Sequence, residues 1–498
     1  MQPRQARQAR QKRSAPKLQK ATLVAFMILL TVAAMSWAVE TLEVPPRTLA
    51  IYVERRASGH NPVVVAIGSR LAGFLLWLDR ADTHWPRRLE LRLGALAGPA
   101  STSAPGAARI NIVLVATVAD ATQAIEQAQP GDAITFAPGT YRFTGLGIAV
   151  NRSGTSVAPI TVRADRPETV TLEFDMTEGF VVSAPYWTFE NLGIRGICAQ
   201  HSNCEHAFHV VANARHFVAR NNSISDFNAH FKINGSEAKF PDDGLIEGNV
   251  LSNSSVRETE SSVTPIDLVG ASRWTVRGNQ ISDFVKTGAD RISYGAFAKG
   301  GGAGNRFEQN FVTCEHLLRG APGQRVGISL GGGGTGKEYC RDARCITEQD
   351  GSTVQSNLIM SCSDDGIYIN RSATSQVRHN TLIDTGGISV RFAESSADVE
   401  GNLVDGAIRG RDGAALRAVD NDQTSMTRLY LGSHPVRGLY RDLAGLDLSW
   451  AASPPRRQRA DTAPPDLCGS QRPPTPTYGA FEDFLTCRPA AAVAKPTK

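Results

Sequence analysis

Residues 331 to 337, GGGGTGK, match the G-x-x-x-x-G-K part of the phosphate-binding loop of nucleotide hydrolases. In that loop the backbone N–H groups surround the phosphates, the lysine binds the outer phosphates, and a following Ser or Thr binds Mg²⁺. Here Glu338 follows Lys337, and its carboxylate would repel the phosphates. The next residues, EYCRDARCITEQDG, also lack the apolar period of the helix that such a loop requires. We therefore predict no nucleotide binding, and the glycines need a structural explanation.

Polar side chains recur at regular positions in a series of short segments. The segments FHVVAN, FKINGS, IDLVGA, AFAKGG, ISLGGG, IYINRS and ISVRFA align so that alternate positions are apolar. Strand side chains alternate between two faces, so the other positions form two outward columns. The first column is His209, Lys232, Asp267, Phe297, Ser329, Tyr368 and Ser389; the second is Val211, Asn234, Val269, Lys299, Gly331, Asn370 and Arg391. Such columns suit an extended, acidic polysaccharide, although polar residues are also the default of any surface.

A repeated phrase defines the elements that carry these columns. It reads WTFENLGI, HFVARNNSI, GLIEGNVL, WTVRGNQI, NRFEQNFV, STVQSNLI, QVRHNTLI and ADVEGNLV. Its asparagines are Asn191, Asn222, Asn249, Asn279, Asn310, Asn357, Asn380 and Asn402. Repeats of 20 to 50 residues indicate a solenoid, propeller or array. Several short β segments per repeat favour a parallel β-helix, in which each Asn tolerates a left-handed turn and its amide bonds the equivalent amide one coil away.

Both ends of the repeat region resemble a known superfamily. A helix over about 119–129 is predicted to cap the first coil, and A-x-P-G-D…F-x-P-G-T-Y follows it. This phrase resembles the N-terminal coil of the pectate-lyase-like right-handed parallel β-helix superfamily. DLCGSQR (466–472) and YGAFED (478–483) resemble the closing segment of its bacterial members. The resemblance covers about 109–485 and implies an all-β fold, a right-handed parallel β-helix solenoid with an N-terminal capping helix.

The resemblance also implies candidate catalytic residues. In chondroitinase B and alginate lyases of this fold, a lysine removes the proton alpha to a uronate and an arginine about one coil later assists. Lys299 and Arg319 have a similar order and spacing, with Tyr368 as a candidate acid. The acidic calcium-binding cluster that precedes the lysine in those lyases is absent from RISYGAFAK, so no metal is expected. Asp364 and Asp365 resemble the paired aspartates of polygalacturonase-type hydrolases, but a turn before a strand also explains them.

The eight cysteines fit an oxidising compartment. Three pairs are close enough to close local loops, Cys198/Cys204, Cys340/Cys345 and Cys468/Cys487, and Cys314 with Cys362 is a candidate fourth. None of these pairs has the C-x-x-C spacing of a zinc or redox site.

The N-terminus predicts export. Residues 1–20 form a leader with seven Lys or Arg and no acid, followed by an uncharged run over 21–38. This run predicts a membrane anchor, with a cleaved signal as the alternative, and places the remaining chain outside the cytoplasm. Residues 39–108 are interpreted as a linker with an amphipathic helix near 62–78 on the membrane surface. Outside the leader, 46 basic residues face 48 acidic ones, so no nucleic-acid partner is expected.

These observations divide the remainder into a β-helix over 109–420, a closing segment over 421–488 and a disordered tail over 489–498. The predicted function is that of an exported protein that binds an acidic polysaccharide along one face and is a candidate uronate lyase. A non-catalytic binding or scaffold protein of the cell envelope is the alternative. The substrate-binding candidates are His209, Lys232, Asp267, Asn370 and Arg391. No cofactor is expected.

Overall fold

The computed structural model describes residues 15–82, 91, 93, 111–332, 335–458 and 463–487. In these ranges most strands belong to three long parallel sheets, and each sheet receives about one strand per coil. The chain passes from sheet A to sheet B to sheet C and returns to sheet A, so the predicted parallel β-helix is confirmed. The predicted tail and most of the predicted leader lie outside the described residues.

The helices and strands have the following bounds. The helices are α1 (Ala15–Leu42), α2 (Pro46–Ala57), α3 (Pro62–Asp79), α4 (Val118–Glu126) and α5 (Met426–Tyr430). Sheet A contains β1 (Asn111–Val115), β2 (Asp132–Phe136), β5 (Ile160–Ala164), β8 (Trp187–Glu190), β11 (Val218–Arg220), β14 (Leu245–Glu247), β17 (Thr275–Arg277), β21 (Arg306–Glu308), β25 (Thr353–Gln355), β29 (Ser375–Arg378), β32 (Ser396–Glu400) and β35 (Ala415–Val419). Sheet B contains β3 (Gly139–Thr144), β6 (Val170–Asp175), β9 (Gly193–Gly196), β12 (Ser223–Ser225), β15 (Val250–Ser252), β18 (Gln280–Ser282), β22 (Phe311–Thr313), β26 (Leu358–Met360), β30 (Thr381–Ile383), β33 (Leu403–Val404) and β36 (Asp422–Gln423). Sheet C contains β4 (Ile148–Val150), β7 (Glu178–Val182), β10 (His206–Val211), β13 (Ala229–Asn234), β16 (Ile266–Val269), β19 (Ile292–Lys299), β23 (Gln324–Leu330), β27 (Ile367–Asn370), β31 (Gly387–Arg391) and β34 (Ala407–Arg411). Short pairings join β20 (Gly302–Ala303), β24 (Gln349–Asp350) and β28 (Ser372–Ala373), and β37 (Tyr440–Asp442) with β38 (Asp447–Trp450).

The core fills the space between the three sheets. Every apolar position that the segment alignment places inward is buried, from Phe208 and Val210 in β10 to Ile388 and Val390 in β31. The aromatic rings stack from coil to coil, and the Phe208 and Phe231 ring centroids lie 5.2 Å apart. Stacking one coil on the next therefore buries an apolar face that no coil could cover alone.

A buried asparagine ladder runs along the turn between sheets A and B. The Nδ2 of each Asn donates to the Oδ1 of the Asn one coil later, at 2.9 to 3.0 Å. The ladder consists of Asn222, Asn249, Asn279, Asn310, Asn357, Asn380, Asn402 and Asn421. The predicted amide stacking is therefore present, but Asn191 is not part of it. Leu192 occupies the corresponding position, and its backbone N–H donates to Asn222.

The left-handed residue of this turn precedes the ladder asparagine, which corrects the role predicted for the Asn itself. Asn191, Asn221, Gly248 and Gly278 have φ values of 56 to 64°. Asn191 thus belongs to the left-handed column, one position before the ladder. The two tasks that were assigned to one Asn are divided between neighbouring residues.

Gly331, the first glycine of the GGGGTGK stretch, has a structural explanation. Gly331 follows strand β23 and has a φ of 74°. One coil earlier, Gly300 follows strand β19 and has a φ of 79°. A Cβ at Gly331 would lie 1.8 Å from the carbonyl oxygen of Asn370 in the next coil. Positive φ and close coil approach therefore select glycine at the same turn of successive coils.

Helix α4 covers the open end of the stack, as predicted. Thr117 caps the helix by accepting a hydrogen bond from the backbone N–H of Asp120. Ala121 and Ile125 are fully buried against the first coil. Their spacing of four residues places both on one face of the helix, which excludes water from the end of the core.

The N-terminal helices pack on the β-helix, so part of the segment interpreted as a linker is ordered. The guanidinium of Arg47 in α2 is fully buried and contacts Asp79, Asp384 and the carbonyl oxygen of Cys362. Helix α1 includes the predicted 21–38 span, and α3 includes the predicted 62–78 helix.

One helix of the described chain, α3, is long and apolar enough to cross a membrane. Its exposed stripe is Val63, Ile67, Leu71, Phe74 and Trp77. The helix is therefore compatible with the predicted position on a membrane surface, and membrane attachment stays a prediction.

All four predicted disulfides are formed, which is compatible with a compartment outside the cytoplasm. They are Cys198–Cys204, Cys314–Cys362, Cys340–Cys345 and Cys468–Cys487. The last one lies in the C-terminal segment, where Leu467, Phe481 and Phe484 pack on the outer face of sheet B over its last coils.

The ladder should be a major source of stability. The Oδ1 of Asn279 accepts hydrogen bonds from the backbone N–H and the amide of Asn249, and its Nδ2 donates to Ile246 and Asn310. We expect Asn279→Ala to lower the free energy of unfolding by about 3 kcal/mol, because buried donors lose their acceptor. Urea denaturation checks this. The exposed Asn213→Ala is the control, with an expected change below about 0.5 kcal/mol; equal effects of the two variants would contradict the ladder's role.

The buried His230 should make the protein sensitive to acid. Burial lowers the pKa of His230 from the ordinary value of 6.5 to about 4. The Nε2 of His230 donates to the Ser252 carbonyl oxygen at 3.1 Å, and this hydrogen bond opposes the shift only in part. Between these values the unfolded chain binds a proton that the folded chain does not, so stability falls as the pH falls. The contribution of His230 to this loss is about 2 kcal/mol between pH 7 and pH 5.

His230→Gln retains an N–H donor for Ser252 and removes the titration. We expect this variant to lose about 2 kcal/mol less than the parent protein between the two pH values in urea denaturation. His216→Gln, at a half-buried surface histidine, is the matched control. An unchanged pH dependence in His230→Gln would show that other groups cause the acid sensitivity.

Candidate functional site

Both predicted columns run in register along the outer face of sheet C, but several members are buried and not solvent-facing as predicted, namely Asp267, Val269, Phe297, Ser329, Asn370 and Ser389. In the first column, backbone pairing joins Asp267 to Phe297, Phe297 to Ser329 and Ser329 to Tyr368. In the second, Val269 pairs with Lys299, and Asn370 pairs with Arg391. Adjacent coils are about 4.8 Å apart, so each column places one side chain per coil along the solenoid axis.

Lys299 ends strand β19 on this face and is half-buried. Its Nζ lies 4.6 Å from the centroid of the Phe297 ring, and the edge of the Tyr294 ring packs against Phe297. No carboxylate of the residues that the structure describes forms an ion pair with this ammonium group. Its column neighbours explain this, because Val269 and Gly331 carry no charge. Lys299 is therefore a cation that can accept an anionic ligand.

Arg319 does not join Lys299, contrary to the prediction. It lies in the connection before β23, where its guanidinium contacts Asp384, the Ser361 hydroxyl and the carbonyl oxygen of Ala81. Lys299 stands at the opposite end of the same sheet, about 20 Å away at the rise of a strand. The physical reason is that buried Asp384 at the corner between sheets B and C attracts Arg319. Arg319 is therefore in no position to neutralise a carboxylate beside Lys299.

Tyr368 and Arg391 form a pair on the sheet C face. They lie on neighbouring strands, and burial raises the pKa of the Tyr368 hydroxyl although the nearby Arg391 opposes the shift. Arg391 also pairs with Asp412 and stacks on Phe392, with 4.6 Å from its guanidinium carbon to the ring centroid. This pair offers a donor-rich, partly apolar surface, about 10 Å (two coil steps) or more from Lys299.

Asp364 and Asp365 lie at the start of β27, and both carboxyl groups have protein partners. Gln324 donates to Asp364 at 2.8 Å, and Arg409 donates to Asp365 at 2.6 Å. Burial raises the pKa of Asp365 to about 7, against the opposing attraction of Arg409. Because Arg409 is itself almost fully buried, the pair has a structural role, and the geometry does not favour a hydrolase centre.

The remaining predicted binding residues lie on the same face, in part paired with one another. Lys232 forms a 2.7 Å ion pair with the buried Asp267, which neutralises both. Asn370 is buried, and its Oδ1 has no hydrogen-bond partner among the described residues. His209 accompanies Glu178 and His206 in a cluster nearer the N-terminal end of the sheet.

A disulfide-closed excursion after β23 covers part of this face. Arg341 reaches back to Asp242 at 2.7 and 2.8 Å and stacks on Phe240. Gly332 at the base of the excursion packs beside the aliphatic chain of Lys299. The excursion therefore limits the movement of Lys299 and shields one side of it from water.

A cavity of about 600 Å³ lies elsewhere, over the outer face of sheet B. Small polar side chains line it, among them Thr171, Ser223, Ser252 and Gln280. It includes none of the predicted site residues, and Gln280 at its edge contacts the carbonyl oxygen of Leu91. The chemistry that the sequence predicts is therefore on sheet C and not in this cavity.

Two residues of the sheet C face were missed in the sequence. Glu178 lies in β7, one coil before the first aligned segment, and His206 precedes that segment by two residues. Burial raises the pKa of Glu178, but the adjacent imidazole rings of His206 and His209 outweigh it and bring the value to about 2. The signal that could have found them is EGFVV, which aligns with HAFHVV one coil later.

Two family models match the chain. The model described as the Pel9A-like right-handed β-helix region matches residues 102–261, and the right-handed β-helix region matches residues 187–425. With the fold above, the chain belongs to the right-handed parallel β-helix superfamily of pectate-lyase-like proteins. No curated protein matches it.

Several solved structures are similar in fold. Pectate lyase Pel9A is 15% identical with a TM-score of 0.49, over 76% of this chain and 98% of that one. An alginate lyase from Paenibacillus sp. str. FPU-7 is 16% identical with a TM-score of 0.36, over 63% and 95%. A rhamnogalacturonan lyase is 14% identical with a TM-score of 0.42, over 60% and 79%. At these identities the likeness concerns the fold alone.

Proposed function

We propose that this protein binds an acidic polysaccharide along the outer face of sheet C. The observation that carries the proposal is the Lys299 ammonium group, which contacts an aromatic ring and forms no ion pair with a carboxylate of the described residues. Carboxylates of a uronate polymer can occupy that position and form a charge-assisted hydrogen bond there. The Tyr368–Arg391 pair provides a second contact point on the same face.

The spacing of the contact points favours a polymer over a small ligand. Three coil steps separate Lys299 from Arg391, which is about 14 Å. One sugar ring cannot contact both cations, whereas an extended chain along the solenoid axis can. The partly exposed rings of Tyr294 and Phe392 give this path apolar patches on which sugar rings can stack.

The exposed apolar stripe of α3 supports a location at a membrane surface, and the four disulfides support a position outside the cytoplasm. We therefore place the β-helix body in the periplasm or outside the cell, held by its N-terminal helices.

Binding should depend on the two cations. We expect the protein to bind polygalacturonate or alginate but not the neutral polymer dextran in calorimetric titration. Lys299→Met and Arg391→Met should each weaken binding about 5- to 10-fold, or about 1–1.4 kcal/mol. Both should also reduce the salt dependence, because each removes a charge contact.

Arg142→Met in sheet B and Arg417→Met in sheet A are the controls, since both residues are exposed cations away from the sheet C face. Affinity equal to the parent protein is expected for them. Equal losses of affinity in the controls and the site variants would show that the interaction depends only on the net charge of the protein and would contradict the proposal. Absence of binding to any acidic polymer would overturn it.

Elimination on a uronate is the second candidate function. In its neutral amine form, Lys299 can take the proton alpha to the carboxylate; the electron pair of that carbon–hydrogen bond forms a carbon–carbon double bond, and the bond to the leaving sugar oxygen breaks. The leaving oxygen then takes a proton. The chemistry also requires a positive group on the carboxylate, and Arg319 is engaged elsewhere while Arg391 is three coils distant.

The geometry therefore favours binding without cleavage. We expect no increase in the ultraviolet absorbance of an unsaturated uronate when the protein is incubated with polygalacturonate or alginate. An increase that Lys299→Met abolishes and Arg142→Met retains would establish a lyase with Lys299 as its base.

A further inference from the structure

Glu178, His206 and His209 form a cluster on the outer face of sheet C, several coils from Lys299. Glu178 in β7 and His206 in β10 are register partners, and His209 lies three residues further along β10. All three side chains are partly exposed, between 18% and 25%. Their ligand atoms all lie within 4.8 Å of one another.

The separations of these atoms match a coordination polyhedron. The carboxylate of Glu178 lies 3.0 Å from Nδ1 of His206 and 3.2 Å from Nδ1 of His209. Tetrahedral zinc with bonds of about 2.0–2.1 Å requires ligand atoms about 3.3 Å apart. A metal ion therefore fits with small side-chain movements and no change in the backbone.

The hydrogen bonds of His209 fix which ring nitrogen is available. Nδ2 of Asn234 donates to the carbonyl oxygen of Gly235 at 3.0 Å, so the amide oxygen faces His209. That oxygen lies 2.8 Å from Nε2 of His209 and can only accept, so Nε2 carries the proton. In the neutral ring, Nδ1 then directs its lone pair at the Glu178 carboxylate.

A lone pair facing a carboxylate at this distance requires a cation between them. The His206 and His209 ring centroids are 5.2 Å apart, so one ion can reach both rings and the carboxylate. A single divalent ion satisfies all three groups at once. A ring N–H held by an amide oxygen is also the arrangement that orients metal-binding histidines in proteins.

We propose that Glu178, His206 and His209 bind a divalent transition-metal ion, of which Zn²⁺ best suits two imidazoles and one carboxylate. The three ligands leave a solvent-facing position for water or an anionic group. Among the described residues, Cys340, Asp342 and Cys345 form a second cluster of potential metal ligands. Its two cysteines are joined in a disulfide, so this cluster offers no thiolate. The site is independent of the proposed polysaccharide binding.

The test uses the full chain with its disulfides intact and a purification tag free of histidine. After dialysis against a chelator, Zn²⁺ is titrated calorimetrically, and Co²⁺ binding is followed by visible absorption. We expect one ion per chain with a dissociation constant in the micromolar range or below, and Co²⁺ bands typical of four- or five-coordination. Zinc should also raise the melting temperature.

Variants locate the site. Glu178→Gln and His209→Gln should each weaken binding at least 100-fold, and Asn234→Leu should weaken it 10- to 100-fold through the orientation of His209. His216→Gln should bind like the parent protein. Far-ultraviolet circular dichroism confirms that each variant is folded, and His206→Gln replaces any that is not. Absence of heat and of Co²⁺ bands, or affinity unchanged in His209→Gln and Asn234→Leu, would overturn the proposal.

Discussion

The structure depends on one constraint: the buried polar groups of each coil are satisfied by the next coil. The backbone of sheets A, B and C pairs in this way, and the asparagine ladder extends the pairing to the sheet A to sheet B turn. A coil that slipped by one residue would expose its apolar side chains and leave buried amides without partners. Register is therefore fixed along the whole solenoid, and a residue's position within its coil decides its face.

This constraint also determines what kind of site the protein can build. Each column contributes one side chain per coil, so functional groups are spread along the axis and clusters arise only between neighbouring coils. Tyr368 with Arg391 and Lys232 with Asp267 are such neighbours. Lys299 stands between Val269 and Gly331 and has no charged neighbour in its column. An arrangement of this kind contacts a long ligand at intervals, which is why the geometry favours binding of a polymer over a compact catalytic centre.

The sequence predicted what the repeat controls and missed what lies outside it. The core positions and the register of the columns follow from period and alternation, and three of the disulfides follow from the short separations of their cysteines. The repeated phrase predicts Asn191 in the ladder as well, because the left-handed position and the ladder position are adjacent in it and either can hold an asparagine. In this coil the asparagine is at the left-handed position and Leu192 is at the ladder position. Arg319 was placed beside Lys299 by spacing alone, but its partners Asp384 and Ala81 belong to a distant coil and to the N-terminal segment. Such contacts have no periodic signal.

The N-terminal segment is bound to the solenoid by buried charges, and this relates helix α3 with its exposed apolar stripe to the sheet C face. Asp384 is almost fully buried and contacts Arg47 and Arg80 from that segment. Removing one member of such a group leaves an uncompensated buried charge, which costs about 3–5 kcal/mol, so the segment is held as a unit. From α2, Arg55 donates to Gln324 at 2.5 Å, and Gln324 donates to Asp364 on the sheet C face. The helices that carry the exposed apolar stripe are thus joined to the edge of the proposed binding face, and the orientation of one fixes the orientation of the other.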